Sequence, residues 1–123
     1  MTKIEERIKN FKHIVKVVNY IDYDEDYIYD NETDKYFSCV DVMDDYYKDN
    51  NLVMPKYAYG VYFVPIKLDL DHILENACEE HHEDALYSLD CVGELREAIN
   101  KFNEDNKTNG SYFEDINTVV ELF

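Results

Sequence analysis

The densest group of potential ligands in this 123-residue sequence is Asp22-Tyr23-Asp24-Glu25-Asp26. Asp22, Asp24 and Asp26 stand at positions 1, 3 and 5 of a possible calcium loop, which needs glycine at position 6 and a bidentate glutamate at position 12. Tyr27 and Thr33 occupy those two places, so the spacing predicts a solvated acidic loop rather than a calcium site. A second group, Cys78, His81 and His82 with His72 nearby, carries the donor types of a zinc site. Structural zinc takes four ligands. No second Cys/His pair has ligand spacing, and Cys91 is the only further thiol nearby. A core-facing Cys78 beside a boundary histidine is the expected reading, with no metal. Catalytic patterns are missing too. The chain has 3 Gly and no phosphate-cradling loop. It has no nucleophile elbow and no HExxH pattern, and Glu83 and Asp84 beside the histidines are ordinary company in so acidic a chain. No enzyme and no cofactor are expected.

The carboxylates say more as a group. Lys and Arg number 12 against 28 Asp and Glu, a formal net charge of −16. That exceeds what solubility requires, and self-repulsion on this scale opposes folding. It argues against direct binding to nucleic acid or to an anionic membrane, and it fits a basic protein surface. If residues 22–26 are extended, Asp22, Asp24 and Asp26 form a row about 6.6–7 Å apart. On a helix, residues three or four apart lie about 5–6 Å from each other. Asp41 with Asp44 or Asp45, and Glu75 with Glu79, have that spacing. Such rows imitate duplex DNA, which carries one charge per about 1.7 Å of axis. Tyr23, Tyr27, Tyr29, Tyr46 and Tyr47 are interleaved with these acids and supply the aromatic anchors that interface hot spots favour. The expected partner-binding set is therefore Asp22, Asp24, Asp26, Tyr27, Tyr29, Asp41, Asp44 and Asp45.

These side chains must be held by a scaffold, and 46% apolar residues suffice for one. The length predicts a single domain over residues 1–123. Ile4, Ile8 and Phe11 predict a short helix over 3–12, and the β-branched run 13–21 predicts a strand. Aromatic segments flanking 30–34 read as a hairpin. Ser38 is the expected N-cap of a further short helix through Lys48. The run 57–66 is apolar on both faces and belongs in the centre of a sheet. Asp69 or Asp71 begins a helix carrying Ile73, Leu74, Ala77, Cys78, His81 and Ala85. Asp90 begins another with Leu95, Ile99 and Phe102 on one face. Residues 116–123 read as a closing strand. The fold class is α+β: a small, mostly antiparallel sheet with two C-terminal helices packed on one face, and a further short helix after the hairpin.

Two resemblances add to this reading. The stretch Pro65-Ile66-Lys67-Leu68-Asp69-Leu70-Asp71, with Glu80-His81-His82-Glu83-Asp84-Ala85 and then Leu95, Ala98 and Phe102-Asn103, resembles a segment of small uncharacterised bacteriophage proteins. It covers less than half the chain and brings no activity with it. Some of those proteins carry an N-terminal Cys-rich module, and this chain has no such pairs. In size, charge and residue usage the whole chain resembles small acidic phage proteins of the anti-CRISPR and anti-restriction DNA-mimic type. No motif carries that likeness, and it transfers no functional residue.

The expected function is a phage-type inhibitor that occupies the basic nucleic-acid-binding surface of a host defence nuclease. An immunity protein for a basic nuclease toxin is the alternative. A small metal-binding module or enzyme using Cys78, His81 and His82 is the second alternative. With three cysteines, no CxxC and no apolar leader, the expected location is a reducing cytoplasm, that of the host cell if the protein is phage-encoded.

Overall fold

The computed structural model describes residues 2–123, which form an α+β fold with four α-helices and one five-stranded sheet. In chain order the elements are α1 (Lys3–Asn10), β1 (Lys16–Asn19), a 3-10 turn (Tyr20–Asp22), β2 (Ile28–Asp30), β3 (Lys35–Phe37) and α2 (Val40–Asp49). Then come β4 (Tyr57–Pro65), α3 (Leu70–Cys78), a second 3-10 turn (Ala85–Ser88), α4 (Val92–Asp105) and β5 (Gly110–Glu121). The sheet order is β1-β5-β4-β2-β3. β1 runs parallel to β5, and the remaining pairings are antiparallel.

The chain divides into two compact units, residues 1–63 with 112–123, and residues 64–111. In the first unit, period-2 alternation sends neighbouring strand residues to opposite faces. One face gathers Ile28, Phe37, Ala58, Val120 and Leu122 beneath Met43 and Tyr47 of α2. The other gathers Tyr59 and Val119 with Ile4 of α1 and with Val15, which precedes β1. The sheet is thus covered by α1 and α2, one on each side. This corrects the expectation of two C-terminal helices packed on one face: the helices are interleaved with the strands. Apolar residues on both faces of β4 and β5 require two covers, and α1 and α2 supply them.

Local chemistry sets the element ends. Thr2 caps α1 by accepting from the Glu5 N–H at 3.2 Å, and its hydroxyl donates to the Glu5 carboxylate at 3.2 Å. The expected strand over 13–21 shrinks to β1, because the chain turns at Tyr20. The Tyr20 hydroxyl accepts from the Val40 N–H at 3.3 Å. That phenol serves the first turn of α2 in place of Ser38, which lies one residue outside the cap position held by Cys39. Between β2 and β3, Asp34 adopts a left-handed φ of 54°, which Asp tolerates better than most residues. Asp30 is fully buried. Its carboxyl accepts from the Tyr47 hydroxyl at 2.5 Å, the Thr33 hydroxyl at 2.6 Å and the Glu32 N–H at 3.2 Å.

In the second unit, Asp69 caps α3 by accepting from the His72 N–H at 3.3 Å. The helix ends at Cys78 rather than continuing through Ala85. The acids that follow sit at the negative end of the helix dipole, with no basic residue in its last turn to offset them. α4 begins after Cys91, not Asp90, and Cys91 takes a left-handed φ of 62°. The Asn103 side chain of α4 clamps Leu68 by donating to its carbonyl and accepting from its N–H, at 2.9 and 2.8 Å. Ile99 is buried as expected, but Leu95 and Phe102 are 43% and 41% exposed. No helix among the described residues is long and apolar enough to cross a membrane.

Replacing the fully buried Met43 by Ala should cost about 2–5 kcal/mol. Leu95→Ala, at a half-open position, should cost less than about 1 kcal/mol. Tyr47→Phe leaves Asp30 short of a donor and should cost about 1–3 kcal/mol. Urea denaturation of the three variants checks the order, and a Leu95→Ala loss equal to that of Met43→Ala would contradict it.

Candidate functional site

Tyrosines organise the acidic surface of the first unit. Tyr23 follows the turn that ends β1, and its ring lies against Gly60 of β4. A Cβ at Gly60 would come within 3.2 Å of that ring and 2.9 Å of the Thr118 methyl, so the close approach requires glycine. β2 pairs with β4 through Tyr29 and Tyr59. Further along β4 the Tyr23 hydroxyl takes over, accepting from the Val61 N–H at 2.9 Å and donating to the Tyr27 carbonyl at 2.6 Å. This fixes the loop over 23–27 against the sheet. Burial pushes the Tyr23 phenol up to about 12, and the carboxylates of Glu25, Asp115 and Asp24 push in the same direction. Asp22, Asp24, Glu25 and Asp115 line a cleft of about 350 Å³ with Lys16, Tyr23 and Tyr62.

Asp26 turns to a second group. It accepts from the Tyr112 hydroxyl at 2.8 Å, and that bond is the main cause of the raised Tyr112 phenol pKa. The Tyr112 ring stands 4.8 Å from Tyr27 and 5.1 Å from Phe63, centroid to centroid. Nearby on the hairpin, Tyr29 and Tyr36 pack 4.9 Å apart. Tyr29 donates to Asp34 at 2.5 Å and Tyr36 to Glu114 at 3.0 Å. The Asp34 bond holds the Tyr29 phenol up at about 12. For Tyr36, burial and then the Glu114 bond raise the phenol. Glu114 and Asp115 are consecutive in β5, so one serves the ring group and the other the cleft.

The expected site residues are therefore distributed over three places. Asp22 and Asp24 share the cleft, while Asp26 and Tyr27 join the ring group beside Tyr112. Tyr29 lies next to Tyr36. Asp22 ends a 3-10 turn and 25–26 is a bend, so the evenly spaced extended row is not formed. Asp41 and Asp45 are exposed on α2, and Asp44 pairs with Lys48 at 2.8 Å. Among the described residues, no hydrogen bond or ion pair joins these α2 acids to Asp22, Asp24 or Asp26. Asp34, Tyr36, Tyr112, Glu114 and Asp115 complete the surface, and sequence reasoning missed them. The one available signal was the alternation of aromatic and acidic residues in Tyr112-Phe113-Glu114-Asp115, which matches the 22–27 stretch in kind.

The metal candidates come apart. Cys78 is half-buried at the end of α3, while His81 and His82 are exposed beyond it. The His82 Nδ1 accepts from the Asp84 N–H at 3.4 Å. Among the described residues, no three His, Cys, Asp or Glu side chains converge to hold a metal ion.

What the acidic surface can do follows from its bonds. Tyr29, Tyr36 and Tyr112 each donate their one phenol proton to a carboxylate, which fixes that carboxylate's direction and leaves its other lone pairs free. The surface can accept several charge-assisted hydrogen bonds at once from cationic side chains. In alkaline titration followed by tyrosinate absorbance, Tyr23 and Tyr29 should ionise near pH 12, about two units after an ordinary phenol. Their protons are held more tightly in the folded chain than in the unfolded one. Their contribution to stability is therefore complete below about pH 10 and falls as pH rises towards about 12. Asp34→Asn, which keeps the left-handed turn but removes the charge, should bring the Tyr29 phenol down. An unchanged titration in that variant would contradict the assignment. Comparison of the chain with protein-family models, with curated proteins and with solved structures gave no match.

Proposed function

We propose that this protein is a phage-type inhibitor that binds the basic nucleic-acid-binding surface of a host defence nuclease, of the CRISPR or restriction kind, by acidic mimicry of DNA. The observation that carries this reading is the gathering of acids from three separated segments onto a tyrosine frame. The loop over 23–27, the hairpin tip at Asp34 and β5 at Glu114 and Asp115 all contribute. An acidic surface needed only for solubility would not require its carboxylates to be oriented. A carboxylate already directed by a phenol loses less freedom on binding, and that raises affinity. Exposed aromatic rings beside the acids supply contact area that a bare charge cluster lacks. Tyr27 and Tyr36 are 37% and 41% exposed, so each ring still has surface to bury against a partner.

The mechanism is competition. Carboxylates take the Lys and Arg sites that phosphates use, and long-range attraction speeds the encounter. Affinity then falls as salt rises, because mobile ions screen and compete for the same charges.

The test begins with a pull-down from a bacterial host, followed by competition between this protein and a labelled DNA for the partner retained. The protein itself should leave the DNA unbound and displace it from the partner. Reversing Asp24, Glu25 and Asp26 to Lys should weaken displacement more than reversing Glu5 and Glu6, which belong to the first turn of α1. Equal losses from the two sets would show that net charge alone matters. Failure to displace DNA from any partner would overturn the reading.

A further inference from the structure

We propose that the open edge of β1 is a self-association surface whose occupant is a second copy of this chain, related to the first by a two-fold axis. β1 is an end strand of the sheet and is hydrogen-bonded to β5 on one side only. Its other side offers unpaired main-chain donors and acceptors, a ready template for another strand. Apolar side chains accompany this edge. Ile14 is 55% exposed, Val17 42% and Ile21 94%. Single exposed aliphatic residues are ordinary; here three fall within eight consecutive positions in and beside an open strand.

Charge identifies the occupant. The segment leading into β1 is basic at Lys12, and the segment leaving it is acidic, with Asp22 and Asp24. An antiparallel copy brings the basic end of each chain to the acidic end of the other, so both ends of the interface are complementary at once. A parallel copy would set like charges side by side. Antiparallel partners also have their side chains on the same face of the sheet. The axis must then pass through a residue rather than between two. With Val17 on the axis, Lys16 meets Val18, Val15 meets Asn19, and Lys12 and His13 approach Asp22 and Ile21 of the second copy. The strand is short and carries Lys16, features that deter indiscriminate edge pairing. The change of sign along the edge is what admits this one partner.

Each copy carries a net charge of −16, so long-range repulsion opposes the approach. The Debye length is only about 8 Å at physiological ionic strength. Self-association therefore strengthens as salt rises from low values. That is the opposite of the dependence expected for a basic partner, so the two contacts are separable by experiment.

Sedimentation velocity of the full chain from about 5 to about 500 µM should show a reversible monomer–dimer equilibrium. The dimer should be favoured at about 0.3 M NaCl over about 0.03 M. Val17→Lys and Ile21→Lys, both at exposed positions, should keep the circular dichroism of the parent. Each should weaken the dimer by at least about tenfold. Asp22→Lys should weaken it as well, and adding Lys12→Asp to that variant should restore it. A chain that stays monomeric at about 500 µM, or one that assembles without closing at two copies, overturns the proposal. So does association that Val17→Lys and Ile21→Lys leave unchanged.

Discussion

The first unit depends on one buried carboxyl group. Asp30 has no solvent contact, and its oxygens are met by the Tyr47 and Thr33 hydroxyls and the Glu32 N–H. A buried polar group without partners would cost several kcal/mol, on the order of 2–7 depending on the reference state. Satisfying this one imposes geometry on everything around it. The loop between β2 and β3 must close tightly enough to deliver two donors. α2 must lie where Tyr47 can reach β2, which sets the helix on the sheet face formed by Ile28, Ala58 and Val120. Burial of the phenol and its bond to Asp30 raise the Tyr47 pKa well above the usual range, so the donor holds its proton more tightly than an ordinary phenol.

Tyrosine carries the same logic outward. In the interior Tyr47 satisfies an acid, at the sheet margin Tyr23 satisfies a main-chain N–H, and at the surface Tyr29, Tyr36 and Tyr112 orient carboxylates. A phenol suits all three tasks because it has an apolar ring for packing and one directional hydroxyl. The acidic surface is therefore continuous with the core in its chemistry: the rings that fill space also direct charge. The two units share the excess of acid evenly. The first holds sixteen acids against eight bases and the second twelve against four, so each carries a net charge of minus eight. The carboxylates directed by phenols, however, are found on the first.

The elements were largely legible because their signals are local. Apolar residues on both faces marked β4, Asp69 or Asp71 marked the start of α3, which Asp69 caps, and the aromatic runs marked the hairpin. Where a long-range contact sets a boundary, local pattern misled. The segment over 13–21 has strand propensity throughout, yet Tyr20 leaves the strand to reach Val40. Ser38 has the chemistry of a cap, but that same phenol does the work. The first half of β5 is acidic and polar, which hid its strand character. The helix expected through Ala85 stops at Cys78 because its continuation has charge repulsion and no apolar face to bury. Least legible was the site. Asp26 meets Tyr112 and Tyr36 meets Glu114 across 86 and 78 residues of sequence, and no spacing rule spans such separations. The acids were readable as a population, whereas their grouping exists only once the sheet order brings β5 and the hairpin near the loop.

That grouping bears on how such a chain can change over generations. A surface recognised through its electrostatic potential constrains the sum of its charges and their approximate places more than the identity of any residue. Asp can become Glu at an exposed position while the potential changes little. The buried positions around Asp30 and Gly60 have no such latitude, since each is fixed by contacts at hydrogen-bond or van der Waals distance. Selection on this protein would thus hold a small interior set fast and let most of the acidic surface drift.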